Sequence, residues 1–238
     1  MPVPVRPAYH LYRWLWGSLD LLFPPSCGGC GQHGSLWCKA CQSKVKELQS
    51  NYCLKCGQPW ELPGLCFNCE RSTPFFTSLR SWALYEGPVR NAILQLKYRR
   101  NISLGIVFAQ PLYKLFNEFS WQVDAVIPVP LGVARLKERG YNQAALIAQP
   151  LALRIGIPCL SKGLTRVRET RSQVGLSYAQ RQENVKDAFH GPTNIVSGLK
   201  LLVVDDVATS SATLNSCALA LLEAGAKDVK CFTLARTI

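Results

Sequence analysis

Two sets of residues in this 238-residue chain have the types and spacing to do chemistry. The first lies in Leu201–Leu214, which reads LLVVDDVATSSATL. Asp205 and Asp206 are adjacent carboxylates, able to accept hydrogen bonds from a pair of sugar hydroxyls, directly or through a magnesium ion. The residues that follow, Ala208, Thr209, Ser210, Ser211, Ala212 and Thr213, are all small. Their backbone N–H groups and hydroxyls can close around an anion, with the partial positive charge of a helix N-terminus behind them. A sugar that carries a phosphate satisfies both halves. The competing reading is a turn whose Asp and Thr residues only cap a helix.

The second set is four C-x2-C pairs: Cys27/Cys30, Cys38/Cys41, Cys53/Cys56 and Cys66/Cys69. Each turn aims two thiolates at one centre, and two turns complete a tetrahedral zinc site that leaves no position free for catalysis. Gly28, Gly29, Gly31 and Gly57 suit the tight knuckles. The short separations favour sequential pairing, 27/30 with 38/41 and 53/56 with 66/69, while a cross-braced pairing stays open. Disulfides are the alternative, and they fit poorly with a chain that shows no export signal. Cys159, Cys217 and Cys231 sit among apolar residues and read as core.

Around these sets the chain alternates strand and helix patterns. Leu201–Val204 is an apolar run suited to a strand buried on both faces. From Leu214 the spacing of Leu214, Ala218, Leu221 and Leu222 becomes helical. Strand, polar loop, helix places the acidic pair at the carboxyl edge of an open α/β sheet, where ligands bind. Trp82–Tyr85 and Asp228–Leu234 read as strands, as does Val123–Val129, which runs into Pro128 and Pro130. Helices are expected from Gly87-Pro88 to Arg100, over Leu104–Phe116 and over Ala144–Leu153, with a basic loop before the last. Ser72–Thr77 is the expected boundary between the cysteine-rich segment and the sheet. Residues 1–26 hold an amphipathic pattern (Tyr9, Leu11, Trp14, Leu15, Leu19, Leu22, Phe23) closed by Pro24-Pro25. It lacks the long apolar core and small-residue cleavage site of a signal peptide, and no stretch is long enough to cross a membrane. The compartment therefore reads as cytoplasmic.

Composition narrows the partners. With 48% hydrophobic residues and 18% charged ones, a full core is attainable and wholesale disorder is excluded. The formal charge of +12 falls to roughly +8 once eight thiolates hold two zinc ions. Polyanions and multiply charged phosphates are natural partners for such a protein. The basic residues cluster at Lys97, Arg99 and Arg100, at Arg135, Lys137 and Arg139 beside Asn142, and in a polar stretch over 161–190 that includes Arg166, Arg168, Arg171 and Arg181. Such a stretch suits a lid over a ligand.

The loop around Asp205-Asp206-Val207, Thr209, Ala212 and Thr213 resembles the phosphoribosyl-pyrophosphate (PRPP) motif of type I phosphoribosyltransferases. It departs from that motif at Ser210, where Thr is usual, and at Ser211, where Gly allows close backbone approach or positive φ. The wider chain is similar to the ComF family, competence-associated proteins with a double zinc ribbon and a phosphoribosyltransferase-like domain. That resemblance is carried by the four C-x2-C pairs, Tyr85-Glu-Gly-Pro88, Leu96-Lys-Tyr98, Ile127-Pro-Val-Pro-Leu131, Arg139-Gly-Tyr-Asn-Gln143 and Thr170-Arg-Ser-Gln173. It implies an α/β fold: a mostly parallel sheet flanked by helices over 78–238, behind a small zinc-ribbon module over 27–72. It also implies structural zinc on the eight cysteines, and a PRPP–magnesium pocket in which Asp205 and Asp206 hold the ribose hydroxyls as the catalytic pair. Residues 208–213 would hold the 5′-phosphate, and Lys97, Arg135 and Arg139 would steady pyrophosphate. Two function classes follow. One is a phosphoribosyltransferase whose acceptor the sequence does not name. The other is a basic module for single-stranded DNA and other competence proteins, with DNA tracking Arg99, Arg135, Arg139 and Arg171 and a base stacking on Tyr98 or Tyr141.

Overall fold

A computed structural model describes residues 25–48, 51–168 and 187–238. The expectations for residues 1–24 and for Arg171, Arg181 and the rest of the stretch 169–186 lie outside the described residues. In chain order the elements are α1 (Lys39–Gln42), α2 (Phe67–Arg71), β1 (Ser78–Leu84), α3 (Gly87–Tyr98), α4 (Leu104–Phe119), β2 (Ala125–Pro128), α5 (Val133–Arg139) and α6 (Gln143–Ile155). Then come β3 (Thr165–Arg166), β4 (Phe189–His190), α7 (Thr193–Val196), β5 (Lys200–Ala208), α8 (Ala212–Glu223) and β6 (Asp228–Arg236).

Among the described residues, four strands form a parallel sheet in the order β1-β6-β5-β2, with β3 and β4 as a separate antiparallel pair. Strand β5 is apolar on both sides because both sides are covered. Leu201 and Val203 join the core with Leu214, Cys217, Ala218 and Leu221 of α8, while Leu202 and Val204 join the core of α3, α4 and α6. All four β5 side chains are fully buried, and so are Cys217 and Cys231.

Several boundaries differ from the sequence reading. β5 does not stop at Val204: pairing with β6 continues through Asp205↔Thr233, Val207↔Ala235 and Ala208↔Arg236, so the acidic pair ends a strand instead of opening a loop. Polarity marks the exposed end of a strand as readily as its termination. α8 begins two residues early, at Ala212, because small residues are tolerated in a first turn. The expected basic loop is largely helix α5, whose seven residues bury no side chain and so present no apolar stripe to read. Gly140, at φ +82°, ends it in the left-handed conformation that suits glycine.

The two cysteine-rich knuckles sit on opposite faces of the sheet. The first packs on α3 and α4: Asn91 Nδ2 donates to the Gly29 carbonyl at 3.0 Å, and Trp37 meets Phe108 edge-on at 6.0 Å. The second shares the other core with Phe76 and Leu79. There Gly57, at φ +68°, lies so close to β1 that a Cβ would stand 2.3 Å from the Leu79 carbonyl oxygen. The segment between the knuckles runs along the outer edge of β1. Leu48 N–H donates to Trp82 O, Leu84 N–H to Lys46 O and Leu79 N–H to Lys55 O, all at 2.8–2.9 Å. At the opposite edge β2 is covered by residues 158–160, with Val126 N–H donating to Pro158 O and Leu160 N–H to Val126 O.

Candidate functional site

The carboxyl ends of β5 and β2 and the C-terminal turn of α3 meet at Asp205, Asp206 and Lys97. Consecutive strand residues point to opposite faces, so the two carboxylates diverge. Asp206 turns toward α3, where Lys97 Nζ donates to its Oδ1 at 2.7 Å. The Asp206 side chain is only 5% exposed, and its Oδ2 has no partner among the described residues. Burial works against the Lys97 ammonium, but the charge of Asp206, with Asp205 and Tyr85 behind it, overrides that and raises the lysine above its ordinary range. Asp205 accepts from the Asp206 backbone N–H at 2.8 Å. Burial and then the neighbouring carboxylate push its carboxyl up to about 7, against the pull of Lys97 and Arg166. Sequence reasoning places Arg166 only in a polar stretch. Its link to Asp205 depends on where β3 lies, which no local pattern signals.

Beyond Ala208, the loop Thr209–Ser211 enters α8. Ser211 adopts φ 60°, ψ 9°, a left-handed conformation, and its side chain makes no capping hydrogen bond. This is the position where the resemblance expects glycine, and the backbone takes the shape glycine would provide. The hydroxyls of Ser210 and Ser211 are buried without a partner among the described residues.

Lys97 contacts the acidic pair directly. Arg139 donates to Gln143 Oε1 and lies over the Tyr98 ring at 5.4 Å from its centroid. Arg135 is exposed on α5. Asn142 is committed to structure: its Oδ1 accepts from Ala144 N–H and its Nδ2 donates to Val129 O. The Tyr141 hydroxyl donates to Leu96 O at 2.6 Å, whereas Tyr98 is 69% exposed and free to stack.

The eight cysteines form two clusters, Cys27/Cys30/Cys38/Cys41 and Cys53/Cys56/Cys66/Cys69, which is the sequential pairing. Sulfurs at 3.6, 3.8 and 3.7 Å (Cys27–Cys41, Cys30–Cys38, Cys56–Cys66) match the edge of about 3.8 Å that a tetrahedron with Zn–S bonds of about 2.3 Å requires. Backbone N–H groups of Cys38 and Cys66 point at Cys27 Sγ and Cys53 Sγ. Burial opposes the Cys27 thiolate, yet the N–H groups of Cys38, Cys30 and Gly29 bring it down to about 6. A hydrogen bond from Cys69 brings Cys56 down to about 5, while burial raises Cys41 and its bond to Cys56 raises Cys69. Zinc binding replaces the protons of such thiols, so the affinity of the clusters for the metal rises with pH. The clusters differ in cover. All four sulfurs of the second are buried, whereas Cys30 is exposed and Cys38 half-buried in the first.

Sequence reasoning missed two buried arginines beside the second cluster. Arg236 of β6 is 4% exposed and donates through Nη1 to Cys56 O at 2.8 Å. Arg80 of β1 donates to Leu54 O and Leu79 O and lies 4.4 Å over the Tyr52 ring. Their two positive charges balance the charge of about −2 on a zinc ion held by four thiolates. A cleft of about 420 Å³ opens between this ribbon and the loop after β5, lined among others by Gln58, Asn68, Ser72, Ser210, Ser211 and Arg236. Neither Lys97 nor the acidic pair lines it.

No helix among the described residues is long and apolar enough to cross a membrane. The double zinc ribbon domain family matches residues 18–70, and the phosphoribosyl transferase domain family matches residues 103–237. The chain is 35% identical over 207 residues to DNA utilization protein YhgH of Salmonella typhimurium, across 84% of this chain and 90% of that protein. It is 31% identical over 207 residues to Competence protein F of Haemophilus influenzae, with the same coverage of 84% and 90%. It is 27% identical over 210 residues to Competence protein ComFC of Bacillus subtilis, across 84% of each chain. Two four-cysteine clusters with the spacing of zinc ribbons, joined to a parallel sheet with an acidic pair at its carboxyl edge, agree with these matches, and the chain belongs to the ComF family.

Proposed function

We propose that the protein binds PRPP with magnesium at Asp205, Asp206 and the loop 208–213, and that it acts in the handling of single-stranded DNA during uptake. The observation that carries the first part is the join of the acidic pair to a left-handed loop at the N-terminus of a twelve-residue helix. Carboxylates suit ribose hydroxyls, and the helix N-terminus suits the 5′-phosphate. The orphaned Asp206 Oδ2 is a hard oxygen donor of the kind magnesium takes. Magnesium, when bound with the pyrophosphate, supplies charge neutralisation. Lys97 pairs with Asp206 and stands where added negative charge would meet a cation. The part concerning DNA is supported by the names of the relatives and by the basic composition.

Calorimetric titration of magnesium PRPP into the zinc-loaded protein and into Asp205→Ala/Asp206→Ala tests the pocket. Binding to the wild type that the double variant abolishes is expected. A folded wild type that takes up no PRPP refutes it.

A second reading rests on a separate observation. Tyr98 is largely exposed, with Arg139 over its ring and Arg99 and Arg100 beside it. That patch suits a stacked base flanked by phosphates. On this reading single-stranded DNA binding falls steeply with salt, and Tyr98→Ala weakens it by about 1–3 kcal/mol; insensitivity to both removes it.

A further inference from the structure

The two zinc ribbons share a ligand set but not a degree of protection. In the second, all four cysteines are buried, with Arg80 and Arg236 bonded to the backbone beside them. In the first, Cys27 and Cys41 are buried, Cys38 is half-buried and Cys30 is exposed. The surroundings of Cys30 are open: a Cβ added at Gly31 or at Gly34 would meet nothing within 4 Å. The backbone also treats the sulfurs of this ribbon unequally. Cys38 N–H donates to Cys27 Sγ and Cys41 N–H to Cys38 Sγ, each at 3.4 Å. Among the described residues no N–H donates to Cys30 Sγ, which instead lies 3.8 Å from Cys38 Sγ. An N–H donated to a thiolate draws charge from the sulfur and lowers its nucleophilicity. Cys30 is therefore the one exposed cysteine of the eight and an unshielded nucleophile, and the sulfur it meets belongs to the next most accessible ligand.

We propose that Cys30 and Cys38 are a site of oxidation by hydrogen peroxide, and that their disulfide empties the first ribbon while the second keeps its metal. The Cys30 thiolate attacks one oxygen of the peroxide: an S–O bond forms, the O–O bond breaks and hydroxide leaves. The Cys38 thiolate then attacks Cys30 Sγ: an S–S bond forms, the S–O bond breaks and a second hydroxide leaves. Two thiolates together lose two electrons, and one peroxide becomes two hydroxides, which take up protons as water. Closing the sulfurs from 3.8 Å to about 2 Å is a side-chain movement. Cys27 and Cys41 remain, two ligands where a closed site needs four, and the first ribbon releases its zinc. The effect reaches the sheet through α3. Gly29 is seated so closely that a Cβ there would stand 2.8 Å from Pro88 Cβ, and its carbonyl accepts from Asn91. Gly28 is seated in the same way against Leu104 at the start of α4. Oxidation removes this clasp from the first turns of α3, the helix that carries Lys97 near its other end. None of this depends on whether the acidic pair binds PRPP.

The test is treatment of the zinc-loaded full chain with excess hydrogen peroxide. Zinc is followed with a metal-sensitive dye, disulfides by peptide mass mapping and backbone opening by hydrogen exchange. Half of the zinc is expected to leave in a fast phase, and a Cys30–Cys38 disulfide to form at the same rate. Thiol reductant with added zinc restores the starting state. Exchange rises over α3 and stays unchanged over β5. Cys30→His keeps a fourth zinc ligand but removes the attacking sulfur, so the fast phase slows by about tenfold or more. A sulfenic-acid trap applied to the wild type gives a second measurement that needs no variant, and it labels Cys30 before any other cysteine. Loss of zinc from both ribbons at one rate, first labelling of another cysteine, or a first disulfide elsewhere overturns the proposal. So does a fast phase unchanged in a zinc-loaded Cys30→His protein. Unaltered exchange over α3 in the oxidised protein overturns the link to the sheet.

Discussion

Ser211→Gly is expected to stabilise the protein, against the usual direction for a substitution to glycine. Ser211 stands at φ 60° in the turn that opens α8. A residue with a Cβ loses about 1–2 kcal/mol in that conformation. Its hydroxyl is buried and unpaired, which costs about 1 kcal/mol more. As an N-cap it contributes nothing, since no hydrogen bond runs from its side chain to the helix. Glycine relieves both penalties and gives back about 0.5–1 kcal/mol through the greater freedom of the unfolded chain. The net gain is about 1.5 kcal/mol, a rise in Tm of about 3–6 °C for a chain of this size. Urea unfolding of wild type, Ser211→Gly and Ser211→Ala separates the contributions. Alanine removes the hydroxyl but keeps the Cβ strain, so it should gain about 1 kcal/mol at most. A glycine variant no more stable than the alanine variant would refute the strain argument. One less stable than wild type would mean that the hydroxyl is in use.

Other outcomes follow from the same geometry. Lys97→Met leaves the Asp206 carboxylate buried without its cation and should destabilise the chain by about 3 kcal/mol, the low end for such pairs because a fifth of Lys97 is exposed. Adding Asp206→Asn should recover most of that in a double-mutant cycle by urea unfolding, and a single-variant cost below about 1 kcal/mol would deny the pair its importance. Asp205, raised to about 7 by burial and its neighbour, holds a proton in the folded state that the unfolded chain releases near pH 4. Stability should therefore fall as pH rises from about 4 to 7, and Asp205→Asn should flatten that slope in unfolding curves at about pH 5 and 7.5. A chelator should strip zinc in two phases, the exposed Cys30 cluster first and the buried Cys53–Cys69 cluster far later, as followed by a zinc-sensitive dye. Simultaneous release would contradict the difference in cover.

Much of this arrangement is legible in the sequence for identifiable reasons. β5 declares itself because a strand covered on both faces must be apolar throughout, and the ribbons because zinc ligation demands fixed cysteine spacing. The acidic pair is recognisable by type, whereas its ion pair with Lys97 arises only where α3 meets the end of β5 and is written in neither segment. What stays hidden is set by partners distant in the chain. Arg80 and Arg236 look like ordinary surface charges until β1 and β6 pair beside the second cluster, and Arg236 meets Cys56 across 180 residues. α5 carries no stripe because none of its side chains is buried. The cleft exists only because the second ribbon folds over the ends of β5 and β6, which neither segment specifies alone.

The seating of the inter-ribbon segment along β1 has a consequence for what metal starvation does to this protein. A parallel sheet needs its outer strands covered, because exposed backbone donors and acceptors on an apolar strand invite pairing with another chain. Here the cover of β1 is Lys46–Leu48 and Lys55, which lie between and within the two cysteine clusters. A chain that cannot assemble its ribbons does not merely lack an accessory module. It presents the bare flank of an almost wholly buried strand, Ser78–Leu84, to its neighbours. Zinc deprivation during synthesis should then appear as insoluble, intermolecularly paired protein, and the cell's supply of the metal becomes a control on how much of this protein stays in solution.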